Sequence, residues 1–183
     1  TKGYLSTFSA VVIKGQTAHF FHVGDSRIFL LRGGELSQCT TDHVASLGDN
    51  KTFLTRAIGM DSRLHIDYGR IPLEEGDRLL LCSDGIHDFM SKETLMAELG
   101  KGQPVKNISE ALLERALEGE SDDNLSTVVA RIDKLPSENL DDYSAKLTRL
   151  PFPPVLSPGM KLDGYVVLEE LFASSRSQLY LVK

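Results

Sequence analysis

Residues 78–85 read Arg-Leu-Leu-Leu-Cys-Ser-Asp-Gly, an apolar run that predicts a buried strand and ends at an acidic turn. Two other segments combine a strand-like run with acidic residues in the same way, Val-Gly-Asp-Ser-Arg at 23–27 and Asp-Asp-Asn at 122–124. Hard divalent cations such as Mg2+ and Mn2+ prefer carboxylate and water oxygens as ligands. Together the three segments predict a metal site at the end of a rigid sheet.

The rest of the chain up to Asp133 alternates strand-like runs with turn signals and contains two helical patterns. We predict strands at 6–14, 17–23, 28–31, 36–39, 66–71, 78–82 and 125–132, and helices from Ser91 to Leu99 and around 108–116. Because the strands occur in runs and the helices are segregated from them, the order favours an α+β fold with antiparallel sheet.

Each acidic residue also has a simpler interpretation. Gly24 and Asp25 can form a tight turn, and Asp84 can cap a helix. Asp123 stands beside Asp122 and Asn124, a combination that also fits a solvated acidic loop. Taken one at a time, none of the three segments distinguishes a metal ligand from a turn residue.

Composition limits the function classes. The 183 residues are 41% hydrophobic and 25% charged, which is typical of a globular protein, and the formal net charge of −6 argues against a nucleic-acid surface. No stretch reaches the roughly 20 apolar residues needed to cross a bilayer. Cys39 and Cys82 have neither metal-site spacing nor a disulfide-rich pattern, so we expect a reduced, cytoplasmic protein.

The amino-acid composition of the chain changes after Asp133. Prolines at 136, 151, 153, 154 and 158 predict a linker over residues 134–160, followed by strands at 164–172 and 178–182. The sequence does not start with methionine and enters a strand-like segment almost at once. We therefore expect an internal fragment of a longer protein.

Several motifs in a fixed order resemble the metal-dependent Ser/Thr protein phosphatases of the PPM type, also called PP2C-like. They are Val23-Gly24-Asp25-Ser26-Arg27, Thr41-Asp42-His43, Leu54-Thr55-Arg56-Ala57-Ile58-Gly59, Gly76-Asp77 with Leu80-Leu81-Cys82-Ser83-Asp84-Gly85, and Asp123-Asn124-Leu125-Ser126. The resemblance covers about residues 5–133, and we assign residues 1–133 to this domain.

The resemblance implies an antiparallel β-sandwich flanked by helices, with two or three Mn2+ or Mg2+ ions at one edge. Phosphorylated proteins would be the substrates, and a metal-activated water, rather than a protein nucleophile, would attack phosphorus. Asp84 and Asp123 match ligands of the second metal, and Asp25 and Asp88 match positions near a third, weaker metal. Structural roles are expected for the other motif residues, Asp42, His43, Asn50, Thr55 and Arg56.

Parts of the family pattern are absent from this chain. The early Asp-Gly-x-Gly-Gly segment, whose aspartate bridges both metals, does not occur before Asp25, and neither do the upstream acidic ligand or the phosphate-binding arginine. Because affinity for hard cations depends on the number and charge of ligands, we expect this chain alone to be inactive. The alternative is a non-catalytic sensor or binding module with the same fold.

Residues 161–183 carry a second resemblance. Leu162 to Leu171 and Gln178 to Val182 are similar to the first two strands of a protein kinase small lobe, with Ala173 to Ser177 in place of the usual glycines. An amphipathic hairpin is the alternative. The combination resembles bifunctional phosphatase and kinase proteins, in which the attached kinase domain is a candidate partner.

Overall fold

The computed structural model describes residues 4–46, 52–137, 155–173 and 178–183. The chain divides into two compact units, Thr1–Asp142 and Tyr143–Lys183, and each is described by itself. The elements of the first unit are β1 (Phe8–Lys14), β2 (Thr17–Val23), β3 (Arg27–Arg32), β4 (Glu35–Gln38), β5 (Val44–Ser46), β6 (Thr52–Leu54), β7 (Asp67–Pro72), β8 (Arg78–Cys82), α1 (Asp84–His87), α2 (Lys92–Gly100), α3 (Val105–Glu118) and β9 (Thr127–Arg131).

The first sheet has the order β1-β2-β7, and both of its strand pairs are antiparallel. β1 and β2 form the predicted hairpin, and β7 adds to the other side of β2 although Asp67 lies 44 positions after Val23 in the chain. As the central strand, β2 has apolar residues on both faces, with Ala18 1% exposed and Val23 fully buried. The predicted bounds of β2 are confirmed.

The second sheet has the order β4-β3-β8-β9, also antiparallel throughout. β8 lies between two neighbours and is covered on both faces, which explains its unbroken apolar run. Leu80 packs on one face with Ile86 and Leu112, while Leu79 packs on the other face with Ala18 of the first sheet. The second sheet therefore lies between the helices and the first sheet.

Two helices lie where the sequence predicts them, although α3 begins at Val105, three residues before the predicted pattern. Ser91 precedes α2, and its hydroxyl accepts a hydrogen bond from the backbone N–H of Thr94 at 3.2 Å. In α3 the residues at helical spacing, Ile108, Leu112 and Ala116, are fully buried against the second sheet.

A buried carboxylate joins the two helices. Glu98 of α2 is 2% exposed and contacts Arg115 Nε at 2.5 Å and Lys101 Nζ at 2.6 Å. Burial alone would raise the pKa of this carboxyl, but its ion pairs with Lys101 and Arg115 lower the pKa overall.

We expect Glu98→Gln to destabilise the protein at pH 7 by about 1–3 kcal/mol, because two cationic partners lose their acceptor charge. A lowered folded-state pKa gives stability that is present above the unfolded value of about 4.3 and is lost as the pH falls through the folded value. The difference between the two proteins should therefore shrink on acidification. Urea unfolding at pH 7 and below pH 4 measures it, and a constant difference would contradict the assignment.

The structure contains three short elements of the first unit that the sequence analysis missed, β5, β6 and α1. Their three or four residues are too few to establish a period of 2.0 or 3.6. Of the predicted family positions, Asn50 lies outside the described residues.

The second unit contains β10 (Lys161–Leu162), β11 (Tyr165–Ala173) and β12 (Gln178–Val182). We predicted two strands, which was incomplete, because Lys161 and Leu162 pair with Val166 and Tyr165 in a third, two-residue strand. Leu156 is 8% exposed, and its backbone N–H donates to the hydroxyl of Tyr180 at 3.0 Å. Residues 138–154 of the predicted linker and residues 174–177 of the loop between β11 and β12 lie outside the described residues.

No helix within the described ranges is long and apolar enough to cross a membrane.

Candidate metal centre

Strand pairing brings three of the predicted acidic segments to one edge of the second sheet. Arg27 pairs with Cys82, and Cys82 pairs with Thr127, so the start of β3, the end of β8 and the start of β9 lie side by side. Asp25 lies two residues before Arg27, and Asp84 lies two residues after Cys82. Asp123 lies four residues before Thr127. Asp84 and Asp123, which are 59 and 98 positions from Asp25 along the chain, therefore share an edge with it.

Asp25 and Asp84 are electrostatically coupled. Burial raises the pKa of the Asp25 carboxyl, and the negative charge of Asp84 raises it further. Both residues are half-buried. A cation bound at this position would stabilise the charged form of the Asp25 carboxyl.

Ser83 ties the Asp84 segment to the Asp123 loop. Its hydroxyl donates to the carbonyl oxygen of Asn124 at 2.9 Å and accepts from the N–H of Ser126 at 3.0 Å. Its own N–H donates to the carbonyl oxygen of Ser126 at 3.1 Å. We interpreted Ser83 only as a turn residue, although a hydroxyl residue directly before Asp84 at a strand end was a usable signal.

Gly85 lets the two segments approach closely. A Cβ atom at this position would lie 2.7 Å from the carbonyl oxygen of Asn124 and 3.0 Å from Leu125 Cδ2. The carbonyl oxygen of Gly85 accepts a hydrogen bond from the Ser121 hydroxyl at 2.9 Å, so residues on both sides of Asp123 are attached to this turn. Only glycine fits this contact without moving the loop.

The turn that carries Asp25 is held by His43. Gly24 has a φ of 110°, which favours glycine, and its N–H donates to His43 Nδ1 at 3.1 Å. Because Nδ1 accepts, Nε2 of the neutral ring carries the proton, and it donates to Asp67 Oδ2 at 3.1 Å. Arg56 Nη1 donates to the other oxygen of Asp67 at 2.6 Å. These contacts support the structural roles expected of His43 and Arg56.

The guanidinium group of Arg27 donates hydrogen bonds through two nitrogens to the carboxylate of Asp42. Its Nε lies 2.9 Å and its Nη2 2.6 Å from Asp42 Oδ2. This pairing occupies the guanidinium face that a phosphate group would require. Arg27 and Asp42 therefore brace the start of β3, in agreement with the structural role expected of Asp42.

The remaining two candidate ligands are exposed. Asp88 follows α1 with its side chain 62% exposed, and its Oδ1 lies 2.8 Å from Nδ1 of the buried His87. Asp123 lies in the loop before β9, and its Oδ1 accepts from the N–H of Asn124 at 2.7 Å. In the described part of the chain, no three His, Cys, Asp or Glu residues are grouped closely enough to hold a metal ion.

Cys82, the last residue of β8, is not a nucleophile at this edge of the sheet. Cys82 is buried, and burial raises the pKa of its thiol to about 12. A thiol with this pKa is almost fully protonated at neutral pH.

Comparisons with known proteins show similarity to bacterial protein phosphatases. The protein phosphatase PhpP of Streptococcus pneumoniae is 28% identical over 152 residues, covering 75% of this chain and 62% of PhpP. The serine/threonine protein phosphatase PstP of Mycobacterium tuberculosis is 34% identical over 149 residues, covering 72% of this chain and 28% of PstP. This chain therefore spans less than two thirds of the length of either relative.

A crystal structure of the catalytic domain of PstP in complex with two manganese ions superimposes with a TM-score of 0.62 and 33% identity, covering 68% of this chain and 57% of that one. The protein phosphatase 2C family model matches residues 1–130. Since that match includes every strand and helix from β1 to α3 and nearly all of β9, the chain belongs to the protein phosphatase 2C family.

Proposed function

We propose that the protein of which this chain is part hydrolyses phosphoserine and phosphothreonine in proteins, using Mn2+ or Mg2+. The observation that carries the proposal is the single sheet edge shared by Asp25, Asp84 and Asp123, where the charge of Asp84 raises the pKa of the Asp25 carboxyl. Membership of the protein phosphatase 2C family and the manganese-bound PstP structure support it.

The donor set fits a hard divalent cation in kind. All four candidates offer carboxylate oxygens, which Mn2+ and Mg2+ accept as ligands. The set is incomplete in number, since no group of three ligating residues occurs among the described residues. Asp84 and Asp123 would hold one metal, and Asp25 and Asp88 would contribute to a weaker one.

A metal pair bound at this edge would supply a water of lowered pKa and would neutralise phosphoryl oxygens. The residues of this chain would hold the oxygen ligands of the metal ions in place. Ser83 and Gly85 fix the Asp84 and Asp123 segments against each other, and His43 fixes the turn of Asp25. No side chain of the chain needs to act as nucleophile.

The test compares the full-length protein with this 183-residue chain, using phosphoserine and phosphothreonine peptides and p-nitrophenyl phosphate. We expect the full-length protein to release phosphate with Mn2+ and to lose this activity when a chelator is added. The isolated chain should show no Mn2+-dependent hydrolysis, because its ligand set is incomplete.

One outcome would contradict the expected inactivity of the isolated chain, and another would contradict the phosphatase activity itself. Measurable Mn2+-dependent hydrolysis by the isolated chain would show that the carboxylates present here suffice. Absence of hydrolysis by the full-length protein, together with specific binding of a phosphopeptide, would favour the non-catalytic module.

We also infer that the complete domain is an antiparallel β-sandwich flanked by helices, and that residues 161–183 begin a protein kinase small lobe. The packing of Leu79 against Ala18 across the two sheets supports the first inference. The antiparallel pairing of β11 with β12 supports the second. The sequence after Lys183 tests the kinase inference, since a kinase requires a lysine on the next strand and a catalytic-loop aspartate. Such a kinase would be a candidate partner and substrate of the phosphatase.

A further inference from the structure

His87 connects two segments that carry candidate metal ligands. It is the last residue of α1, which begins at Asp84, and its side chain is only 2% exposed. Its Nε2 lies 3.0 Å from the backbone carbonyl oxygen of Asp25, which is 62 residues away in the sequence. Because a carbonyl oxygen only accepts, Nε2 carries a proton, and His87 is the donor.

The second nitrogen of the same ring faces another candidate ligand. Nδ1 lies 2.8 Å from Asp88 Oδ1, a close contact that does not have hydrogen-bond geometry. The imidazole of His87 is therefore placed between the turn of Asp25 and the side chain of Asp88. These are the two residues that we assign to the weaker metal.

Burial by itself does not explain a histidine at this position. The preceding residue, Ile86, is fully buried and packs in the apolar core with Leu80 and Leu95. An apolar side chain at 87 would be buried at less cost, because a buried polar ring loses its hydrogen bonds to water. What the imidazole adds is a rigid donor that reaches across to the backbone of Asp25.

We propose that His87 is a positioning residue of the metal centre, which fixes the turn of Asp25 relative to Asp84 and Asp88. The residue does not contact substrate or accept a proton in the reaction. It acts by holding the carboxylates at a constant separation, so that they do not have to be ordered when a cation binds. This inference rests on the proposed function, since it assumes that the carboxylates bind metal.

The test uses two amide replacements in the full-length protein, His87→Gln and His87→Asn. The glutamine amide can reach the position of Nε2 and donate to Asp25, whereas the shorter asparagine amide reaches only the position of Nδ1. We expect His87→Asn to weaken Mn2+ binding, measured by isothermal titration calorimetry, by about 10- to 100-fold, as is usual for residues that orient metal ligands. His87→Gln should retain most of the affinity.

His19→Leu serves as the control. His19 of β2 is hydrogen-bonded to the hydroxyl of Tyr68 of β7 at 2.8 Å, and neither residue is among the candidate ligands. It should leave the affinity for Mn2+ unchanged. Thermal unfolding of the metal-free proteins separates stability from positioning, since a purely structural role predicts loss of stability without a change in affinity.

Equal Mn2+ affinity of the unsubstituted protein and His87→Asn would overturn the positioning role, whatever the change in thermal stability. Equal weakening by His87→Asn and His87→Gln would overturn it as well, because the donor to Asp25 would then be irrelevant. Failure of the unsubstituted protein to bind Mn2+ at all is a different result, which would overturn the proposed metal centre and this role with it.

Discussion

Asp123→Asn in the full-length protein is expected to lower Mn2+-dependent phosphate release by about 100-fold or more. Residues that only orient metal ligands typically contribute 10- to 100-fold to metal affinity or activity, so loss of a ligand should reach at least the top of this range. The asparagine Oδ1 can still accept the 2.7 Å hydrogen bond from the N–H of Asn124. The turn is therefore preserved while the charge is lost.

The control for this substitution is its neighbour, Asp122→Asn. Both aspartates are exposed in the same loop, and both changes remove one negative charge. Surface substitutions of this kind usually change the free energy of unfolding by no more than about 0.5 kcal/mol. Steady-state kinetics over a range of Mn2+ concentrations should show a defect in Asp123→Asn only. Equal turnover in the two variants would remove Asp123 from the set of ligands.

Gly85→Ala is expected to destabilise the protein by about 1–3 kcal/mol, as overpacking usually does, and to reduce Mn2+ affinity at the same time. The new Cβ would lie 2.7 Å from the carbonyl oxygen of Asn124, a backbone atom that cannot move without shifting residues 123–126. Alanine is otherwise favoured over glycine inside a helix by about 1 kcal/mol. A loss of stability therefore reports the steric clash and not a helix preference.

A matched glycine in the neighbouring helix provides the comparison. Gly100 ends α2, and a Cβ added there would meet no atom within 4 Å. Gly100→Ala should leave both the unfolding midpoint and Mn2+ binding close to those of the unsubstituted protein. If Gly85→Ala behaved in the same way, the close approach of the two loops would have no energetic importance.

Elements with a clear periodic signal were predicted well from the sequence. The bounds of β2, β8 and β12 are as predicted, since β-branched, aromatic or other apolar runs bounded by turn residues give a strong local signal. The cap at Ser91 and the buried stripe of α3 were also predicted. The short elements β5, β6 and α1 were not, because three or four residues carry no period.

The candidate site was predicted in its chemistry but not in its connections. The metal-ligand roles of Asp25, Asp84, Asp88 and Asp123 stay predictions that the variants above test. Their supporting contacts could not be predicted, because Ser83, Gly85 and His87 each act on a residue more than 35 positions away. Sequence analysis treated Ser83 as a turn residue and gave His87 no assigned role.

The sequence by itself determined where the longer strands and helices lie, which side chains can ligate a hard cation, and which family the ordered motifs resemble. These are properties of local composition and spacing. The tertiary structure alone decided that the acidic turns of 25, 84 and 123 lie at one sheet edge, because strand order depends on pairing between distant segments. It also decided that Gly85 and His87 hold that edge together, since close approach and buried donors exist only once the strands are paired.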